Sequence, residues 1–400
     1  MISDSQTPSI GCESLVSENQ NPGARHSRNS GGQSVAVNNL GRLTDFSDLW
    51  DSLGSGFQSP MQSFFWSQSA LESVCAGEDL QIVLYRHGDS AALAPLVRHK
   101  GVLPVMTMLG VERLGEPMDF LYTDLQALDS LADVLRPQGR PLCLEHLLAE
   151  TEVISALRRA YRRRGFIRID AMNQCPYIPL HPGWAEPETQ FNAGRRSDFR
   201  RAQKRAEQLG VVTYEILAPT PAEVEPLLAE IFAVEAQGWK GRAGTDLVTD
   251  RPLGEFYRRF ALRASEQGLL RLCFMRIDGK AVAVQYAVEY ASRFWLLKIG
   301  YDEQYARCSA GNLLMLKTVQ YAAEKGLEYY EFLGSAETWT KVWSDLVRQR
   351  VKIRVYPFNI FGALYFSSDT VKFGWKQLKF AISRARILKQ VPNANKLAND

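Results

Sequence analysis

The sequence predicts an α/β protein with mixed sheets, built as two tandem units that each set a mainly antiparallel sheet among helices. Three observations support this. "LQIVLYRHGDSAALAPLV" from Leu80 and "LRLCFMRIDGKAVAVQYA" from Leu270 overlay without a gap at an offset of 190, so Arg86 falls on Arg276 and Ala91 on Ala281. Each is strand, tight turn, strand, with Gly88-Asp89 and Asp278-Gly279 as residues that tolerate positive φ between alternating apolar runs. The same offset places Gly110 of "TMLGVE" on Gly300 of "KIGYDE", and each half then continues to an apolar helix and a further strand.

The first 41 residues are rich in Ser, Asn, Gly and Gln and cannot offset their ordering entropy by burial, so 1–41 reads as a disordered tail. Residues 42–188 form the first unit. In the second, 189–356, "PAEVEPLLAEIFAVEAQ" and "PLGEFYRRFALRASEQ" place proline in the first turn of helices with apolar residues at helical spacing. Strands follow at 269–277, 280–290 and 293–300, then a helix from Ser309 to Lys325, a strand at 327–333, a further helix, and a closing strand near 349–356. Residues 357–400 are a basic amphipathic segment whose Lys372, Lys376, Lys379, Arg384, Arg386 and Lys389 stand against one acid, Asp369. That composition suits an anionic lipid surface as well as a helix packed on its own domain.

With 47 Lys and Arg against 44 Asp and Glu, bulk charge predicts no DNA binding, and any attraction to anions must be local. The basic stretch at 195–208, "RRSDFRRAQKRAEQ", is one such cluster, readable as a phosphate-binding face or a solvated one. Cysteines without CxxC spacing suggest a reduced, cytoplasmic protein with no metal site. No apolar run is long enough to span a membrane.

The junction "LKIGYDEQYARCSAGNLL" at 297–314 leaves an apolar strand, exposes polar residues and starts a helix with Ser-Ala-Gly. Ser309 suits an N-cap, Gly311 leaves room beside the backbone, and Gly326 suits the left-handed C-terminal position. The amides of Ala310, Gly311 and Asn312 would carry the positive end of the helix dipole, with Arg307 just upstream, as a pocket for a pyrophosphate.

The element order resembles the GNAT acyltransferase fold. "EAQGWKGRAGT" (235–245), the junction and "EFLGSAETWTKVW" (331–343) resemble the acetyltransferase domain of CelD-like proteins found with polysaccharide and cellulose biosynthesis, which is related to Fem-type peptidyltransferases that also pair two GNAT-like units. The resemblance covers about 45–350. It implies acetyl-CoA or another acyl-CoA as donor, bound by Arg307, Ser309, Ala310, Gly311 and Asn312, direct transfer without a metal, and a small-molecule or glycan-precursor acceptor such as an amino sugar. "ARCSAGN" lacks the first glycine of the common GNAT signature, so an aminoacyl donor stays open, as does a catalytically silent scaffold docked on a membrane-bound synthase at the inner membrane face.

Direct transfer needs a positioned nucleophile and a route for its proton. Glu235, at the end of an apolar helix, Tyr301 and Asp302 are the catalytic candidates, with a turn-stabilising role open for Asp302. Lys298 interrupts "FWLLKIGY" and must face a cleft or meet a carboxylate. It joins Trp239, Lys240 and Lys341 as candidate substrate-binding residues. Glu331, in a strand buried on both faces, needs a charged partner.

Overall fold

The computed structural model describes residues 33–37, 43–98, 101, 103–238, 244, 246–372 and 375. The first part of the chain runs β1 (Gln33–Val37), α1 (Ser47–Ser55), α2 (Phe64–Leu71), β2 (Asp79–Leu80), β3 (Ile82–His87), β4 (Ser90–Ala94), β5 (Leu96–Arg98) and β6 (Met106–Met108). It continues through α3 (Val111–Leu114), β7 (Leu121–Tyr122), α4 (Leu125–Leu135), β8 (Leu142–Leu148), α5 (Val153–Ala160), β9 (Gly165–Ala171) and β10 (Cys175–Pro179). The second part runs α6 (Ala193–Glu207), β11 (Val212–Leu217), α7 (Pro221–Ala236), α8 (Arg251–Glu266), β12 (Leu270–Ile277), β13 (Lys280–Tyr290), β14 (Arg293–Tyr301), α9 (Ala310–Glu324), β15 (Tyr329–Glu331), β16 (Val347–Arg348) and β17 (Arg350–Pro357).

Local chemistry sets the boundaries around the second sheet. Thr220 and Glu223 form a capping box at the start of α7, the Thr220 amide donating to Glu223 Oε2 at 2.9 Å. The Asp250 carboxylate accepts from the Leu253 amide at 3.3 Å to open α8. Between β12 and β13, Asp278 and Gly279 take φ of 49° and 80°, the left-handed pair a tight hairpin requires. The two hairpins keep a common register, Arg86 opposite Ala91 and Arg276 opposite Ala281.

A seven-stranded sheet has the order β11-β12-β13-β14-β15-β10-β16, with only β14 and β15 parallel among its paired neighbours. Alternate residues of β12 enter opposite cores: Leu270, Leu272 and Phe274 join the side that includes α7 and α8, and Cys273, Met275 and Ile277 the side that includes α6 and α9. The first of these cores is continuous with that of the first half. There Trp66 of α2 meets Phe256 and Phe260 of α8 edge-on, each at 4.8 Å, while Glu72 binds Arg259 and Arg263 at 2.8 and 2.7 Å.

Several expectations change. Gln33–Val37, within the stretch read as a disordered tail, is a strand: β3 offers a free edge, and Val35 lies opposite Leu84. The rest of that stretch, apart from 33–37, lies outside the described residues. The strand expected to close the second half, β17, lies between β8 and β9 of the first half, whereas β10 lies between β15 and β16 of the second. The two halves thus exchange strands, because an alternating apolar strand specifies its buried face but not its partner. Between 333 and 349 only a 3-10 turn, Thr340–Val342, stands where a helix was expected. Gly110 and Gly300 also part company: Gly110 takes φ 72° and opens the short α3, whereas Gly300 lies within β14.

Candidate functional site

β14 and β15 pair at only three positions, from Arg293 with Tyr329 to Trp295 with Glu331. Beyond them β14 continues along β13 to Tyr301, with one extra residue, Leu297, bulging where Tyr286 opposes Lys298 and Ala287 opposes Leu296. The chain after β15 turns away through Leu333 and Gly334, at φ 56° and 55°. The strands therefore splay, and a cleft of about 500 Å³ opens between them. Val284, Ile299, Met315 and Phe332 give it apolar walls, and Glu235 and Glu337 add carboxylates.

α9 begins at the head of this cleft. Ser309 stands at the N-cap position, but in the left-handed conformation (φ 48°, ψ 41°) and without a side-chain capping bond, which corrects the expected cap. Its carbonyl accepts from the Asn312 and Leu313 amides at 2.9 and 3.1 Å, so the Asn312 amide is already engaged. The amides of Ala310 and Gly311 meet no acceptor among the described residues. All four residues from Ser309 to Asn312 line the cleft. A Cβ on Gly311 would meet only Tyr301 Cδ1, at 4.0 Å, so the glycine preserves open space rather than relieving a clash.

Glu235 is 3 % exposed and lines the same cleft, with Oε2 accepting from the Leu247 amide at 3.1 Å. A Cβ on Gly300 would stand 2.9 Å from Glu235 Cα, so the glycine lets α7 lie directly on β14. Tyr301 lines the cleft as well. Asp302 does not: buried at 2 % exposure, it accepts from Lys280 Nζ at 2.9 Å and caps the following turn through the Gln304 amide at 3.0 Å. Its surroundings favour the turn-stabilising alternative. Arg307 is exposed outside the cleft lining, its carbonyl accepting from Arg205 of α6 at 3.2 Å. Lys341 is likewise exposed and outside the lining, although Glu337 and Trp339 of the same loop belong to it. Trp239 and Lys240 lie outside the described residues. Glu331 is bound by Arg293 at 2.7 Å and Arg348 at 2.6 Å, the charged partners a buried carboxylate needs. Cys308 is buried and its thiol pushed up by desolvation, which disfavours a thiolate nucleophile.

Lys298 faces a second chamber, of about 360 Å³, which shares Ile299, Phe332, Gly334, Ser335 and Trp339 with the first. Its ammonium also lies 4.8 Å from the centre of the Tyr257 ring. Glu116, His146, Asn173 and Arg350 complete this chamber at the seam between the halves. Arg350, 2 % exposed, donates to the carbonyls of Asn173, Gly115 and Gly334 at 2.7, 2.9 and 2.6 Å and so stitches the seam. Burial pushes Glu116 up to about 7 against the opposing pull of Lys298 and Arg350. Burial, and then the Arg350 charge, hold His146 down at about 4. The sequence reading missed Glu116; the available signal was an acid set between Gly115 and Pro117 in the mostly apolar run "LGEPMDFLY", which also holds Asp119.

A third, wider cleft of about 1110 Å³ lies in the first half beside β6 and β8, so open space is not confined to the second half. Its charged walls are largely paired among themselves, Arg168 with Asp170 at 2.9 Å and Arg354 with Asp369 at 3.3 Å.

Residues 193–341, from α6 to just past the Trp339 wall, match a family model described as acetyltransferase (GNAT) domain. This segment carries a GNAT-type acyltransferase fold. All residues lining the first cleft fall within the matched segment, whereas Glu116, His146, Asn173 and Arg350 fall outside it. Among solved structures, FemX is 12 % identical with a TM-score of 0.54, the match covering 82 % of this chain and 98 % of that one. A chain described as the C-terminal domain of a lysylphosphatidylglycerol synthetase of Agrobacterium fabrum is also 12 % identical, with a TM-score of 0.51, covering 82 % of this chain and 96 % of the other. At such identity these likenesses show a shared fold over most of the chain and say nothing of substrate. No curated protein matches in sequence. Among the described residues no cluster of His, Cys, Asp and Glu is arranged to hold a metal, and no helix is long and apolar enough to cross a membrane.

Proposed function

We propose that the protein is an N-acyltransferase that takes an acyl group from acetyl-CoA or another acyl-CoA and delivers it to an amine, as on an amino sugar or another precursor of polysaccharide or cell envelope. The observation that carries this reading is the cleft between the splayed strands, with the open amides of Ala310 and Gly311 at its head. A pyrophosphate suits the helix start, since the dipole and unsatisfied donors both favour an anion there. The apolar walls then suit the pantetheine chain, and Glu235 and Tyr301 stand where an acyl group emerging along β14 would lie. Amine attack on the thioester forms the C–N bond and breaks the C–S bond without a covalent enzyme intermediate. The polysaccharide context rests on the CelD-like pattern of the three sequence stretches.

The second reading is an aminoacyl donor, supported by the architecture shared with FemX across both halves. A scaffold role is the third. We also propose peripheral contact with a membrane or a membrane-bound synthase on its cytoplasmic side, supported by exposed Phe358, Ile360, Phe361 and Leu364 where the basic C-terminal segment begins. Most of its lysines and arginines lie outside the described residues.

Thermal stabilisation by acetyl-CoA, free CoA and aminoacyl-tRNA, measured separately, tests the donor. A ligand at 100 times its Kd stabilises by about 2.7 kcal/mol. Acetyl-CoA and CoA should both raise Tm saturably. A response to aminoacyl-tRNA alone would select the second reading, and silence in every arm the scaffold.

A further inference from the structure

The second chamber is lined by buried polar groups left without a partner among the described residues. Glu116 Oε2, His146 Nδ1 and the Tyr257 hydroxyl are buried without a hydrogen-bond partner among the described residues. Glu116 and His146 line the chamber, and the ring of Tyr257 lies beneath its Lys298. Leaving a buried polar atom unpaired is costly, and two on the wall of one chamber, with a third on the ring beneath its Lys298, indicate a space shaped for something polar. His146 adds a left-handed backbone, φ 59°, in a non-glycine residue at the chamber wall, a strain that clusters at functional positions.

We propose that this chamber is the acceptor site, that its ligand is a primary amine bearing further hydrogen-bonding groups, and that Glu116, supplied by the first half, is the catalytic base for that amine. The proposal rests on the acyltransferase reading above and deepens it. An amine arriving as ammonium gives one proton to the Glu116 carboxylate and becomes nucleophilic. Its lone pair forms the bond to the thioester carbon and the C–S bond breaks. The proton then lost from nitrogen passes to the departing sulfur, and Glu116 returns its own to solvent. Charged or titratable neighbours on each packed element bear on this step: Lys298 of β14, Arg350 of β17, Tyr257 of α8, Cys175 of β10 and His146 of β8. The two cations keep an ionised Glu116 tolerable, while burial keeps it basic enough to hold a proton near neutrality, where a general base works best. Neutral His146 leaves one ring nitrogen to accept and the other to donate to an acceptor hydroxyl.

The shared wall from Ile299 to Trp339 joins this chamber to the donor cleft, so donor and acceptor would enter from different sides and meet at the Phe332–Ser335 turn. On this arrangement the matched GNAT segment supplies the donor site and the first half supplies the choice of acceptor.

The test uses the full chain as wild type, Glu116→Gln and Glu116→Asp. Thiol release from acetyl-CoA with D-glucosamine as the amine is followed from pH 5 to 9, acetyl-CoA affinity by calorimetry, and the titrating carboxyl by carbon NMR of glutamate-labelled protein. The wild-type rate should rise through a limb near pH 7. E116Q should lose on the order of 100-fold in rate together with that limb while binding acetyl-CoA as before, and E116D should recover part of the rate. A carboxyl signal titrating near 7 should vanish in E116Q. If E116Q keeps both rate and limb, or the signal is missing from the wild type, the base assignment is overturned. If that signal is present and acetyl-CoA does not bind the wild type, the donor reading falls and the ionisation of Glu116 stands.

Discussion

The two halves place similar parts around two different openings. Each has a hairpin, a third strand and a parallel strand reached through a helix: β6 pairs with β8 over two positions, and β14 with β15 over three. In the first half the third strand ends at Met108, and Gly110, in a left-handed conformation, opens a four-residue helix closed by Gly115. The second half instead delivers its turn straight into the fifteen-residue α9, whose first amides face the gap. One opening is wide and walled by charges largely paired, and the other is narrow, apolar and headed by amides that meet no acceptor among the described residues. The same scaffold thus becomes a ligand cleft or a charged surface according to the element that succeeds its third strand. A long helix aimed into the gap makes the difference.

Removing the stitch between the halves should have the largest effect. Arg350→Ala loses three bonds to carbonyls on both sides of the seam and leaves those carbonyls unpaired, so a loss of about 3 kcal/mol or more is expected in urea unfolding. A loss below 1 kcal/mol would mean the halves are joined by their core and exchanged strands alone.

Glu116→Gln should change how stability varies with pH. The folded value of about 7 lies above the ordinary 4.5, so the folded protein holds a proton that the unfolded chain releases between those values. Its stabilising contribution is full below 4.5 and is lost as pH rises to 7. The stability of E116Q relative to wild type should therefore climb by on the order of 3 kcal/mol across that window. His146 is common to both proteins and cancels from the difference. A difference that stays flat with pH would place Glu116 in contact with water.

A matched pair of glycine variants tests the comparison directly. At Gly110 a Cβ would approach Ala70 Cβ at 3.1 Å and Leu114 Cδ1 at 3.2 Å, with φ at 72°. Gly110→Val should cost on the order of 1–3 kcal/mol of stability and leave the donor Kd unchanged. Gly311→Val should do the reverse, folding normally while raising the acetyl-CoA Kd on the order of 10-fold or more, about 1.4 kcal/mol per decade. If the two variants behave alike, the openings do not differ in kind.

The smallest effect belongs to Arg307→Ala. Because that side chain is exposed and outside the cleft lining, the donor Kd at 0.15 M salt should move by less than about 2-fold. A larger, salt-sensitive change would restore Arg307 as a phosphate ligand.

Sequence reading succeeded where the deciding interaction is local. Asp278-Gly279 specifies its own hairpin, Pro221 starts α7, and Gly311 marks the open helix head without reference to the rest of the chain. It failed where the partner is remote. Asp302 looks available in sequence until Lys280, from the neighbouring strand, is placed beside it. Glu116 looks like a loop residue until β14 and β17 bring Lys298 and Arg350 to it. Likewise β10 and β17 show their alternation but not the sheet they join, since pairing between distant strands is fixed only by the assembled fold.

The exchanged strands also impose an order on biogenesis. Among the described residues β17 is the last strand to be synthesised, yet it takes the place between β8 and β9 in the first half's sheet. Until then that sheet is left as an interrupted set of strands with bare edges, open to pairing with another nascent chain. The N-terminal half therefore cannot finish folding while it is being made, an exception to the usual domain-by-domain sequence, and the non-local pairing slows the final step. A gene cut between the halves would yield two insoluble fragments, and co-expressing them should recover the folded protein only to the extent that β10 and β17 find their places across the break.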